Sequence, residues 1–162
     1  MSSGPSNKPE TSVDKASCTR LALDLLARRE HSRRELERKL RARDFPLDII
    51  DATLAELTTS GALAEARFTE SFVRSRVARG QGPVRIRMGL AERGIAVDES
   101  KPALACEEQD WHALARAVRA KRFGPTLPQD YKERARQARF LQYRGFDAAQ
   151  IKSALAGEDD SD

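Results

Sequence analysis

Leu40-Arg41-Ala42-Arg43-Asp44-Phe45, Leu90-Ala91-Glu92-Arg93-Gly94-Ile95 and Leu141-Gln142-Tyr143-Arg144-Gly145-Phe146 are one pattern written three times. Each runs leucine, two variable residues, arginine, then glycine or aspartate, then a large apolar residue. A second leucine follows 14 residues after the first in every copy, at Leu54, Leu104 and Leu155. Leu40 to Leu90 is 50 residues, and Leu90 to Leu141 is 51. A fixed period of that size marks a repeat architecture. Each unit has a small core, so neighbouring units are expected to bury shared apolar faces and stabilise one another.

Around the three copies the chain reads as helix. Leu, Ala, Arg and Glu dominate and β-branched residues are sparse, which favours an all-helical fold. The expectation is an all-α protein of three tandem three-helix repeats, over 17–61, 62–106 and 107–156, forming an elongated, curved array. Residues 1–16, polar and rich in Pro, Gly and Ser, read as a disordered tail, and the acidic residues 157–162 as another.

In the first repeat the spacing predicts helices near 19–29, 33–43 and 47–59. Leu21, Leu25, Leu26, Leu36, Leu40, Ile50, Leu54 and Leu57 face inward. Ser32 and Glu35 form a capping box, Pro46 separates the second helix from the third, and Gly61 closes the third. The second repeat predicts helices near 65–79, 83–93 and 98–105, with Pro83 at a helix start and Gly94 in a left-handed cap. The third predicts 107–122, a helix that follows Pro128 or Gln129, runs to about Tyr143 and is capped by Gly145, and 147–156.

Net charge is only +4, but it is segregated. Residues 61–94 hold seven arginines against Glu65, Glu70 and Glu92, and residues 111–146 hold nine lysines and arginines against Asp130 and Glu133. About half of this charge is accounted for by solvated, salt-bridged helix surface. The excess suits an anionic partner, nucleic acid or an acidic protein face. Arg34, Arg38 and Arg41 share one face of a helix, opposite Leu36 and Leu40. Arg67 and Arg74 share a face of the next helix, Arg85 and Arg87 flank the inward Ile86, and Arg116, Arg119 and Arg122 recur at three-residue steps. These ten are the candidate contact residues, because the guanidinium fork suits phosphate and carboxylate. Arg43, Arg93 and Arg144 are read as structural, each in the last turn of its helix against the negative end of the dipole.

Catalytic chemistry is not signalled. His31 and His112 are 81 residues apart and neither stands in a metal-ligand spacing. Cys106 near His112 matches no nucleophile motif. Gly80-Gln81-Gly82 resembles a fragment of a phosphate loop but lacks the preceding strand and the Gly-Lys-Ser/Thr ending. Phe68, Phe72, Trp111 and Phe140 read as core, so base stacking on single strands is not signalled either. No enzyme, metal or cofactor is expected. Two cysteines make no disulfide framework and fit a reducing cytoplasm, and there is no apolar signal segment and no membrane span.

Four segments in order resemble one family: ALDLLARREHSRRELERKL at 22–40, GALAEARFTESFVRSR at 61–76, GQGPVRIRMGLAERGI at 80–95 and FLQYRGF at 140–146. Together they are similar to the RecX regulatory proteins of bacteria, over about residues 18–156. The resemblance implies three tandem three-helix repeats and binding to the RecA recombinase filament. It implies modulation, mainly inhibition, of recombinase, ATPase and coprotease activity in DNA repair and SOS regulation. A cytoplasmic monomer is expected, and the basic excess makes single- or double-stranded DNA a further candidate partner. The alternative is a helical-repeat protein acting on DNA directly. One departure is visible: family members often place an acidic or amide pair after the leucine matching Leu63, where this chain has Ala64-Glu65, a weaker cap for the following helix.

Overall fold

The computed structural model describes residues 8–106 and 108–156. Among the described residues it is all helical: α1 (Lys8–Arg28), α2 (Arg33–Arg41), α3 (Leu47–Thr59), α4 (Glu65–Ala78), α5 (Pro83–Glu92), α6 (Val97–Leu104), α7 (Trp111–Phe123), α8 (Tyr131–Arg144) and α9 (Ala148–Ala156). The nine fall into three successive groups of three. By compactness the chain divides differently, into residues 1–68 and 69–162.

The first unit is built on α1, α2 and α3. Its core holds Leu36, Leu40, Ile49, Ile50, Leu54, Leu57 and Leu63, together with Cys18 and Ala22 of α1. Leu21, Leu25 and Leu26, expected as the inward side of α1, are only half-buried around that pair. The capping box forms as expected: the Glu35 N–H donates to Ser32 Oγ at 3.1 Å and the Ser32 N–H to Glu35 Oε2 at 3.3 Å. The expected tail over 1–16 needs correction, because α1 begins at Lys8; residues 1–7 lie outside the described residues. Cys18 and Ala22 are fully buried, and Lys15 pairs with Glu56 of α3.

In the second unit, Val73, Ile86, Leu90, Ile95 and Leu104 are buried within the second group of helices. Ala115, Leu141, Phe146 and Ala154 form the core of the third, with Leu114, Val118, Phe140 and Ile151 packed on it. α7 starts at Trp111, later than the expected 107, because Asp110 accepts the Ala113 N–H at 2.9 Å and so fixes the first turn. α9 opens with a reciprocal cap, each of Asp147 and Gln150 accepting the other's N–H at 2.9 Å. The expected acidic tail, 157–162, lies outside the described residues.

The repeated pattern is a helix stop. Gly94 and Gly145 have φ of +83° and +95°, and Asp44 takes the same left-handed place at +63°. At the two glycines the next N–H reaches back to the pattern's leucine, Ile95 to Leu90 O at 3.0 Å and Phe146 to Leu141 O at 3.1 Å. That bond adds to one the same carbonyl already accepts at the helix end, and it turns the following apolar residue into the core.

Candidate functional site

The basic rows split into joinery and free surface once their partners are named. In the first unit, Arg34, Arg38 and Arg41 are exposed on α2, opposite the fully buried Leu36 and Leu40. Arg41 is paired with Glu37 at 2.9 Å. Arg34 and Arg38 have no ion pair or hydrogen bond among the described residues, so they carry the uncompensated charge of this face. Arg67 behaves differently from its reading as a contact residue. Its Nε donates to Glu30 Oε1 at 3.0 Å and its Nη2 to Gly61 O at 2.7 Å. Glu65 Oε1 accepts the Arg33 N–H at 2.9 Å, satisfying an orphan donor at the start of α2. The weaker-looking Ala64-Glu65 pair thus serves the neighbouring helix, and Arg67 ties the start of α4 to the α1–α2 loop.

His31, at that loop, is fully buried. Its Nδ1–H donates to Arg29 O at 3.0 Å and its Nε2 accepts from the Lys39 ammonium at 3.0 Å. Burial, assisted by the charges of Arg29 and Lys39, lowers its pKa, against a raising effect of the Arg29 carbonyl. The ring is therefore held neutral in one tautomer, as a structural group. Among the described residues no group of His, Cys, Asp or Glu is arranged to hold a metal ion.

In the second unit the turn Gly80-Gln81-Gly82-Pro83 receives backbone, not phosphate. The Gly82 N–H donates to Arg144 O at 2.8 Å and the Val84 N–H to Gly145 O at 2.9 Å. Arg144 Nη1 returns to Arg79 O at 3.1 Å, and Arg85 Nη1 donates to Tyr143 O at 3.2 Å while stacking over its ring. A Cβ on Gly145 would stand 2.3 Å from Arg85 Cβ, so this glycine also permits the close approach. Arg85 and Arg144 thereby each place a hydrogen bond between the second helix group and the third. Arg144 complements the carbonyl end of α4 instead of its own helix. Arg93 does serve its own helix, donating to Gly89 O at 2.9 Å and lying over Phe72. Arg43 falls past the end of α2 and is exposed.

The row Arg116, Arg119, Arg122 does not form one face. Arg119 is buried, and its guanidinium donates to Thr126 O and Gln137 Oε1 at 3.3 Å and to Pro125 O at 3.4 Å. It is thus corrected from contact residue to internal strap. Arg116 is half-buried and donates to Ser153 at 3.2 Å, while Arg122 is exposed. Three-residue steps drift around a helix of 3.6 residues per turn, and Arg119 lands four residues after the buried Ala115. Arg74 and Arg87 are exposed. Burial, then the charges of Arg93, Arg79 and Arg85, lower the pKa of Arg76. Of the ten candidates, Arg34, Arg38, Arg74, Arg87 and Arg122 are exposed, with side chains in no ion pair or hydrogen bond among the described residues, and Arg122 lies over the Phe123 ring at 5.5 Å. Spacing missed Arg79 and Lys121, which join Arg122 and Arg144 around one groove, because they come from different helices.

Three family models match in chain order: RecX, first three-helix domain, at residues 18–57; RecX, second three-helix domain, at 65–104; and RecX, third three-helix domain, at 108–155. The chain belongs to the RecX family. Among RecX relatives, the regulatory protein RecX of Halorhodospira halophila (strain DSM 244 / SL1) is 52% identical over 141 residues, covering 87% of this chain and 88% of that protein. The regulatory protein RecX of Pseudomonas entomophila (strain L48) is 46% identical over 140 residues, covering 86% and 90%. The crystal structure of RecX from Lactobacillus salivarius shares the fold, with TM-score 0.75 at 22% identity over 89% of this chain and 96% of that one. A second crystal structure of regulatory protein RecX has TM-score 0.75 at 20% identity, over 94% and 80%. No helix among the described residues of this RecX chain is long and apolar enough to cross a membrane.

Proposed function

We propose that this protein binds the RecA–DNA filament and inhibits RecA's recombinase, ATPase and coprotease activities, without catalysis of its own, as part of DNA repair and SOS regulation. The observation that carries the reading is the set of three RecX domains in order along one chain. The unpaired Arg34–Arg38 face supplies a contact suited to an acidic protein surface or to filament DNA. Several binding faces on one chain meet a partner whose own subunits repeat, so one contact raises the effective concentration of the next. The filament then has less room for a second DNA or for coprotease substrates. Measuring ATP hydrolysis by RecA on single-stranded DNA tests this. Inhibition at stoichiometric protein is expected, and an unaltered rate there rejects the proposal.

The uncompensated cations also favour a second reading, direct binding to DNA. It requires affinity for naked DNA that falls steeply with salt. Binding only when RecA is present decides against it.

A further inference from the structure

One concave region of the second unit is left unexplained by the helix-joining arginines. α4, α7 and α8 enclose a groove of about 430 Å³. Half-buried Val77, Leu114, Val118 and Phe140 make its floor. Arg79, Lys121, Arg122 and Arg144 stand around it, and no carboxylate lines it. None of these four cations has a carboxylate partner among the described residues, whereas Arg41, Arg67 and Arg136 elsewhere each have one. Arg144 is already held in place by Arg79 O and by the Phe140 ring, 5.3 Å below its guanidinium, so less side-chain freedom is lost when it takes a ligand.

We propose that this groove docks an acidic protein segment in which carboxylates flank one large apolar side chain. The apolar floor has something to gain only from an apolar group that leaves water. The surrounding guanidinium forks match carboxylates in charge and geometry. A nucleic-acid backbone would meet the cations but leave the floor uncovered. Base stacking is disfavoured as well, since Phe140 has Arg144 over one face and meets Phe123 edge-on at 5.2 Å. The site is separate from the α2 face, and its test involves neither RecA nor its filament.

The probe is a labelled short peptide with a single central phenylalanine between runs of aspartate and glutamate, followed by fluorescence anisotropy on the full chain. Controls are the same peptide with alanine at the centre and a single-stranded oligonucleotide of equal net charge. Two variants report on the groove: Ala117→Glu, which places a carboxylate at an exposed lining position, and the double change Lys121→Glu, Arg122→Glu. Circular dichroism checks that both stay helical, and the exposed Ala117 position keeps the test open if the double variant misfolds. The phenylalanine peptide should bind, and its affinity should fall at least about tenfold with the alanine centre and in each folded variant. The oligonucleotide should compete poorly. The proposal is overturned by no binding at low salt, by equal affinity of the two peptides, or by wild-type affinity in Ala117→Glu. An oligonucleotide that displaces the peptide as well as unlabelled peptide does overturns it too, and assigns the groove to nucleic acid.

Discussion

Asp44 sits at φ +63° where the other two repeats place glycine. An aspartate tolerates the left-handed region better than most side chains, and a β-branched residue tolerates it worst. Gly94→Val should therefore cost about 2 kcal/mol, read as a lower urea midpoint. Gly94 is exposed and stands at φ +83°, and an unchanged midpoint would contradict the geometry. Asp44→Gly should be neutral or slightly stabilising. His31 makes a second residue-level prediction. Its folded pKa lies below the ordinary 6.5, so as pH falls the unfolded chain takes up the proton first. The contribution of the neutral ring is complete above about pH 6.5 and declines as pH drops through that value. Protonation would also turn an N–H on Nε2 toward the Lys39 ammonium, which now donates to it. Glu35 titrates lower: burial opposes its charge, but the bonds from Arg29 and Ser32 prevail and hold it below 4.5. Its contribution is lost only as pH falls below about 4.5. Urea midpoints between about pH 7.5 and 5.5 should thus slope downward in the wild type and flatten in His31→Gln; parallel slopes would refute this role for His31.

At the scale of the element, α7 shows how far a row of like residues can mislead. Arg116, Arg119 and Arg122 look equivalent in spacing, yet one bonds to Ser153, one is buried against Pro125, Thr126 and Gln137, and one is solvated. Arg119→Ala removes the donor for two carbonyls and an amide at a buried site. It should cost about 2–4 kcal/mol. Arg122→Ala should stay within about 0.5 kcal/mol of wild type. Similar losses by thermal or urea unfolding would disprove the strap. Helix ends followed local chemistry where the cap is in the chain itself, as at Ser32–Glu35, Pro83 and Gly145. They departed from it where a partner from elsewhere decides. α1 runs N-terminal of the expected helix, and it packs on α2 and α3 through contacts such as Lys15 with Glu56 that no local pattern announces.

For the whole molecule, binding is expected to rest on the cations that the fold leaves unpaired. On the proposed function, reversing Arg34, Arg38 and Arg41 together to Glu should weaken inhibition of RecA by at least about tenfold with helical content intact. Most of the loss should come from Arg34 and Arg38, since Arg41 is already paired with Glu37. Wild-type potency in the triple variant would mark that face as plain solvated surface. The sequence by itself determined the three-fold repeat, the nine-helix plan and the left-handed stops, because these follow from periodicity and from residues acting within one turn of chain; the family it indicated through the resemblance of four segments. Tertiary structure alone decided what each arginine does. A guanidinium reaches several ångströms from its backbone, so its partner is set by which helix end packs beside it. That is why Arg67 bonds Glu30, Arg144 bonds the Arg79 carbonyl and Arg119 turns inward. The three copies of Leu-x-x-Arg share a left-handed residue after the arginine, yet Arg43 is exposed, Arg93 bonds its own helix and Arg144 bonds the Arg79 carbonyl.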